Sequence, residues 1–131
     1  MDVNQHMANT AFLAYAGDIR TQFSAARGFT ISRFAELQIG PVILEDRLTY
    51  AREIRLLESF TLDVQLAGCT ADVRRFKIRN RFFTAGDTLC ASVDSIGLWL
   101  DLAKRKPIPP PPELRDAWLS LERSEDFEDW S

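Results

Sequence analysis

From Thr10 to Ala26 the apolar residues Phe12, Tyr15, Ala16, Ile19 and Phe23 recur at three- and four-residue steps. That spacing makes one face of an amphipathic helix. Asn9 or Thr10 is suited to cap its start, and Gly28, which tolerates positive φ, to end it, with Arg27 favourably placed at the negative end of the helix dipole. A short helical or irregular piece, residues 31–38, leads to Gly40-Pro41, after which the period drops from 3.6 to 2. In the first extended run Val42, Leu44, Leu48, Tyr50, Ile54 and Leu56 are expected on one face, with Glu45, Arg47, Thr49, Glu53 and Arg55 on the other. In the second, Phe60, Leu62, Val64 and Leu66 alternate with polar residues. Beyond a turn at residues 68–72, Phe76, Ile78 and Phe82 alternate with Arg75, Lys77, Arg79 and Arg81, and Ala85-Gly86-Asp87 closes that strand. The last run, residues 88–102, is apolar on both sides near Ile96 to Leu100, as in a central strand.

One helix followed by antiparallel strands leaves the strands' shared apolar face nothing to pack against except that helix. The expected architecture is therefore α+β, a long curved sheet wrapped around one helix over residues 1–106. Pro107–Pro112 lacks ladder donors and reads as a rigid extended strap. Residues 113–121 then form a short helix with Leu114, Trp118 and Leu121 on one side, and the acidic last ten residues are expected to be mobile, with Phe127 and Trp130 free to dock on a neighbour.

Composition narrows the chemistry. With 131 residues, 46% hydrophobic and 27% charged, the chain has the make-up of one ordinary domain. No segment is apolar enough to span a bilayer and the start does not read as a secretory signal, so a cytoplasmic protein with no membrane partner is expected. The net charge of -3 gives no overall reason to bind nucleic acid. Cys69 and Cys90 fit no metal or redox motif and are read as reduced, one in the hairpin turn and one in a strand. A single histidine leaves little material for a metal site or a Ser-His-Asp triad, so no cofactor is expected and any catalysis falls to carboxylates, amides and backbone groups. Basic residues nevertheless cluster at Arg74–Arg81 and at Lys104–Lys106, which suits a small phosphorylated ligand.

The opening Asp2-Val-Asn-Gln-His-Met-Ala-Asn9, with Asp four residues before His6 and seven before Asn9, resembles the signature of the hotdog-fold acyl-CoA thioesterases of the 4-hydroxybenzoyl-CoA thioesterase type. Tyr15 to Arg20 resembles that family's aromatic-acidic-Arg helix segment, Gly40-Pro-Val-Ile-Leu-Glu its second strand, and Lys106-Pro-Ile-Pro-Pro-Pro-Pro-Glu-Leu its closing segment. The resemblance implies a hotdog fold, hydrolysis of an acyl-CoA or related thioester, and a homodimer or homotetramer with sites at the subunit boundary. Relatives carry a full strand before the motif, whereas this sequence starts one residue before Asp2, so a sheet lacking the usual first strand is expected.

By the same resemblance, Asp2 is the catalytic carboxylate, acting as general base or as nucleophile. Backbone N–H groups around Met7 and Ala8 form the oxyanion hole at the positive end of the helix dipole. Asn9 orients Asp2 or the water, or simply caps the helix. His6 shuttles a proton or packs, and Asp18, the acid within the helix, is a minor catalytic alternative. Arg75, Arg79, Lys104 and Arg105 are candidate contacts for coenzyme A phosphates. Asp46 and Arg52 interrupt the inward apolar pattern and are expected to pair with each other or to line the acyl pocket. Gln5 stands where the family has Gly, and Ala8 where it has a first Asn. The alternative is a non-catalytic acyl-CoA-binding or assembly module. A hydratase of the related branch fits less well, since its His lies five residues after its Asp.

Overall fold

The computed structural model describes residues 9–52, 54 and 58–130. Asp2, His6, Met7, Ala8 and the question of a first strand lie outside them. Helix α1 spans Asn9–Ala25 and α2 spans Ile31–Leu37. They are followed by β1 (Ile39–Tyr50), β2 (Thr61–Cys69), β3 (Arg75–Thr84), β4 (Thr88–Asp101), β5 (Lys106–Pro107), α3 (Pro112–Leu119) and β6 (Arg123–Asp129). The strands form one sheet in the order β1-β4-β3-β2-β6, with β5 paired to the end of β4. All neighbours are antiparallel except β2 and β6.

The expected helix forms where its spacing places it. Phe12 and Ala16 are buried against one end of the sheet, and Phe23 packs towards the other. Gly28, at φ +87°, ends it, while Arg27 donates to the Phe23 carbonyl at 3.1 Å and lies over the Phe23 ring. That combines a glycine cap with a cation on the orphan carbonyls. Thr30 caps α2 by accepting from the Arg33 amide at 3.2 Å.

β4 lies between β1 and β3, which explains why Ile96 to Leu100 are apolar on both faces. The face turned to α1 carries Ala91, Val93, Ser95, Gly97 and Trp99, all buried. Gly97 is there because nothing larger fits: a Cβ at that position would come within 2.5 Å of the Val42 carbonyl oxygen and 2.8 Å of Phe76 Cζ. Since the backbone of β1 cannot yield without breaking its ladder, Gly97→Ala is expected to destabilise the fold by about 1–3 kcal/mol. Urea unfolding would show this as a lower midpoint at unchanged slope.

Several expectations need correction. In β1 a bulge between Ile43 and Glu45 shifts the register, so the strand's apolar phase is not continuous. Val42 pairs with Leu98 on the outer face, opposite to the expected side, and Leu44, the extra residue, is 59% exposed. The acidic C-terminal residues are not a mobile tail, because Arg123–Asp129 adds a strand beside β2. Phe127 packs against the core of the same chain, and the Trp130 ring lies over Gly68. The proline run also meets the sheet briefly, with Pro107 opposite Leu100 and the Ile108 amide donating to the Trp99 carbonyl at 3.0 Å. Cys69 ends β2 instead of sitting in the turn, and both cysteines are buried and free.

The outer face of the sheet is an ion-paired surface. Arg79 is held by Asp94 at 2.7 Å and by Asp126 of β6 at 2.8 Å. Arg81 pairs with Asp63, and Lys77 with Glu128 at 3.0 Å. β6 is thus fastened to the sheet by charge as well as by its few ladder bonds. The hydrogen bonds from Arg79 hold the Asp126 carboxyl well below the usual carboxylate range. A folded-state depression of this kind stabilises above the unfolded value near ~4 and is lost as pH falls towards the folded value. Because Asp126 is mostly exposed, water screens the pair, and Asp126→Asn is expected to cost no more than about 1 kcal/mol at neutral pH. The Tm difference between the two proteins should shrink as pH falls below about 4.

Candidate functional site

The inward face of the sheet is apolar at both ends and polar across the middle. One apolar cluster gathers Phe29, Ile39, Leu66, Phe76, Ile78, Trp99, Leu114 and Trp118. The other gathers Phe12, Ala16, Ile54, Phe82, Ala91 and Val93. Between them Asp46 of β1 lies opposite Ser95 of β4, and Asn80 of β3, opposite Val93, is diagonal to Ser95, with Arg20 of α1 reaching both Ser95 and Asn80. Arg20 Nη1 donates to Ser95 Oγ at 2.8 Å and reaches Asn80 Oδ1 at 3.5 Å. Ser95 Oγ in turn donates to Asp46 Oδ1 at 2.5 Å, and Asn80 Nδ2 to the Asp63 carbonyl at 3.2 Å. Asn80 and Ser95 are wholly buried, so these bonds meet the requirement that interior polar groups find partners. Burial disfavours the charge on Arg20 and lowers its pKa, while the nearby Asp46 carboxylate works in the opposite direction. Asp46 therefore faces Ser95 and Arg20 rather than Arg52.

Next to this polar band lies a cavity of about 460 Å³. α1 contributes Gly17, Arg20, Thr21 and Ser24 to its wall, α2 contributes Ile31, Phe34 and Ala35, and β1 contributes Ile39, Gly40, Pro41 and Ile43. Phe29, Phe76, Leu102 and Trp118 complete it. Its walls are mostly apolar, and among the described residues Arg20 is the one charged side chain on them. A space of this size is within the ~300–1,000 Å³ typical of small-molecule sites.

The described parts of the expected site are dispersed. Asn9 is the first described residue of α1. The first N–H groups of a helix have no partners inside it and point, with the positive end of its dipole, towards the chain that precedes it. Asp18 is exposed on α1. Lys104 and Arg105 sit in the turn after β4, which Asp101 shapes by accepting from the amides of Ala103 and Lys104 at 3.0 Å. Both are exposed, make no ion pair among the described residues, and follow Leu102 of the cavity wall within three positions. Arg75 is exposed at the start of β3. On Arg79, Nε, Nη1 and Nη2 all donate to the carboxylates of Asp94 and Asp126. Sequence reading did not single out Asn80 and Ser95, although both are polar residues at inward positions of otherwise apolar strands. Among the described residues no helix is long and apolar enough to cross a membrane.

The family model for the thioesterase-like superfamily matches residues 1–118. The chain belongs to the thioesterase-like superfamily. Solved structures with the same fold include a hypothetical protein of Staphylococcus aureus in complex with CoA, at a TM-score of 0.83 and 17% identity over 95% of this chain and 79% of that one. A 1,4-dihydroxy-2-naphthoyl-CoA thioesterase of Synechocystis gives 0.80 and 13% over 92% and 88%, and a gentisyl-coenzyme A thioesterase gives 0.75 and 16% over 91% of each. At these identities the likeness shows the hotdog fold. No curated protein matches the chain in sequence. For this thioesterase-like chain the family match covers the Asp2 to Asn9 motif, α1, the four long strands and nearly all of α3.

Proposed function

We propose that the chain hydrolyses an acyl-CoA, or a related thioester, to free acid and thiol. The observation that carries this reading is the spacing of Asp2, His6 and Asn9 ahead of α1 in a member of the thioesterase-like superfamily. Asp2 either takes a proton from a water whose oxygen bonds to the thioester carbon, or attacks that carbon itself to give a mixed anhydride that water then opens. In both routes the C–S bond breaks and the departing thiolate takes up a proton. Backbone N–H groups at Met7 and Ala8 receive the developing oxyanion, aided by the dipole of α1. Asn9 orients the carboxylate or the water, and His6 supports the loop.

Lys104 and Arg105 hold the phosphates of coenzyme A, with Arg75 as a further contact. Their exposure and the absence of ion pairs on the first two among the described residues support this role. Arg79 fits it poorly, because its donors already meet two carboxylates. The neighbours solved with CoA, or named as CoA thioesterases, support a CoA ester as the substrate class. The outer edge of β1 pairs with no other strand among the described residues and carries exposed Leu44. An open edge of this kind invites a second copy, which supports a homodimer or homotetramer.

The alternative is a non-catalytic acyl-CoA-binding or assembly module, favoured by Gln5 and Ala8 at positions where the family has Gly and Asn. Titration calorimetry with a non-hydrolysable thioether analogue of acyl-CoA, run beside a turnover assay on the matching thioester, separates the two. Binding with turnover supports hydrolysis, and binding without turnover selects the module.

A further inference from the structure

We infer that the cavity between α1, α2 and β1 holds the far end of the acyl group, and that Arg20 selects acyl groups carrying an oxygen acceptor, best a carboxylate, at that end. The inference rests on the thioester reading above and adds to it a substrate class and a specificity residue.

Three observations converge on it. First, the cavity's place along α1 fits the remote part of a substrate and not its reacting carbon. Gly17, its earliest wall residue, is eight positions beyond Asn9, about 12 Å of helix rise. A thioester at the head of α1 therefore sends only its acyl tail so far. Second, the walls given by Ile31, Phe34, Ile43 and Phe76 exclude water from a tail, yet an acyl group that was apolar throughout would press against a desolvated guanidinium. Burial already lowers the pKa of Arg20, so its charge is under-compensated where it stands. Third, Arg20 has donors to spare. Nη1 serves Ser95 and Asn80, whereas Nε and Nη2 meet no acceptor among the described residues. Nη2 lies on the Gly17 side, 3.8 Å from where a Cβ on that glycine would stand, and both residues line the cavity.

Ser95 and Asn80 fix the guanidinium from below, and through Ser95 the Asp46 carboxylate partly balances it. The free edge is consequently held in place for a planar, two-oxygen acceptor, the geometry for which arginine is best suited. A ligand carboxylate there replaces the water that Nε and Nη2 otherwise need. A methyl-ended acyl chain displaces that water and returns nothing, so discrimination comes from the penalty on the wrong substrate as much as from attraction of the right one.

The test separates this claim from the thioester reading. Octanoate and 1-octanol, which share a tail and differ in the acceptor, are titrated by calorimetry into the wild-type protein and into Arg20→Met, which keeps an unbranched side chain without donors. Octanoate is expected to bind the wild type about tenfold or more tighter than the variant, while 1-octanol, whose hydroxyl accepts only an uncharged hydrogen bond, loses clearly less affinity than octanoate and by still binding shows that the variant's cavity is intact. For turnover, an ω-carboxyacyl-CoA should have a higher kcat/KM than the plain acyl-CoA of equal length in the wild type, and Arg20→Met should abolish that preference. Equal octanoate affinity in wild type and variant, or equal kcat/KM for the two esters in the wild type, overturns the inference and leaves hydrolysis standing. If no thioester is hydrolysed, that reading fails by itself and the octanoate comparison still decides the cavity. Should Arg20→Met fail to fold, Arg20→Lys, which keeps the charge but loses the fork, is expected to weaken octanoate binding and spare 1-octanol.

Discussion

Asp2→Asn is expected to lower kcat for thioester hydrolysis by about 10²–10⁴-fold, the range over which a positioned acid or base acts. An amide neither accepts the proton of water nor forms an anhydride that water can open, so both routes open to Asp2 close together. The substitution is nearly isosteric and removes a charge that acts on the transition state. KM should therefore change little while kcat and kcat/KM fall in parallel. A residual rate is expected, since backbone donors at Met7 and Ala8 would still stabilise an oxyanion. An unchanged kcat in a variant of unchanged Tm would transfer the reaction to another group, with Asp18 the first to examine.

Phe76→Ala should have the largest effect on stability, about 3–5 kcal/mol. The ring is fully buried. It meets Trp118 edge-on at 4.7 Å between centroids and Trp99 at 6.0 Å, and it fills the space left by Gly97. Its removal would open a void among three elements, β3, β4 and α3, bordered by Trp99 and Trp118, which already pack against each other. Because Phe76 also lines the cavity, the same variant should bind acyl ligands less tightly. Urea unfolding measures the first effect, and an unchanged midpoint would contradict this account of the core.

Much of this architecture was legible along the chain because burial was one-sided. Phe12, Ala16 and Phe23 recur at helical spacing, and Phe76, Ile78 and Phe82 alternate with Arg75, Lys77, Arg79 and Arg81. Each pattern matches an element with a single apolar face. What escaped has specific physical causes. Val42 and Leu44 were assigned to the inner face because the bulge after Ile43 leaves no trace in hydropathy. β6 was missed because its sequence, Arg-Ser-Glu-Asp-Phe-Glu-Asp, resembles a solvated tail, and its hold on the sheet depends on bases in β3 that are distant in sequence. That pairing also accounts for Arg79, which appeared free for phosphate until its two carboxylates came into place. The band of Asp46, Ser95, Asn80 and Arg20 was only half visible. Asp46 stood out as a charge facing inward, but its partners, Ser95 and Arg20, come from another strand and a helix that only the fold brings together. The motif residues Asp2, His6, Met7 and Ala8 lie outside the described residues, so their roles rest on the family match and on their spacing.

The central claim is tested most directly by following free-thiol release from a panel of acyl-CoA esters, aliphatic and aromatic, plain and ω-carboxylated, with the purified protein at concentrations far below the substrate. The account predicts many turnovers per chain on at least one ester, with free acid formed in step with the thiol and the activity lost in Asp2→Asn. Thiol release that never exceeds the uncatalysed rate for any ester, in a protein that still binds acyl-CoA, would contradict it.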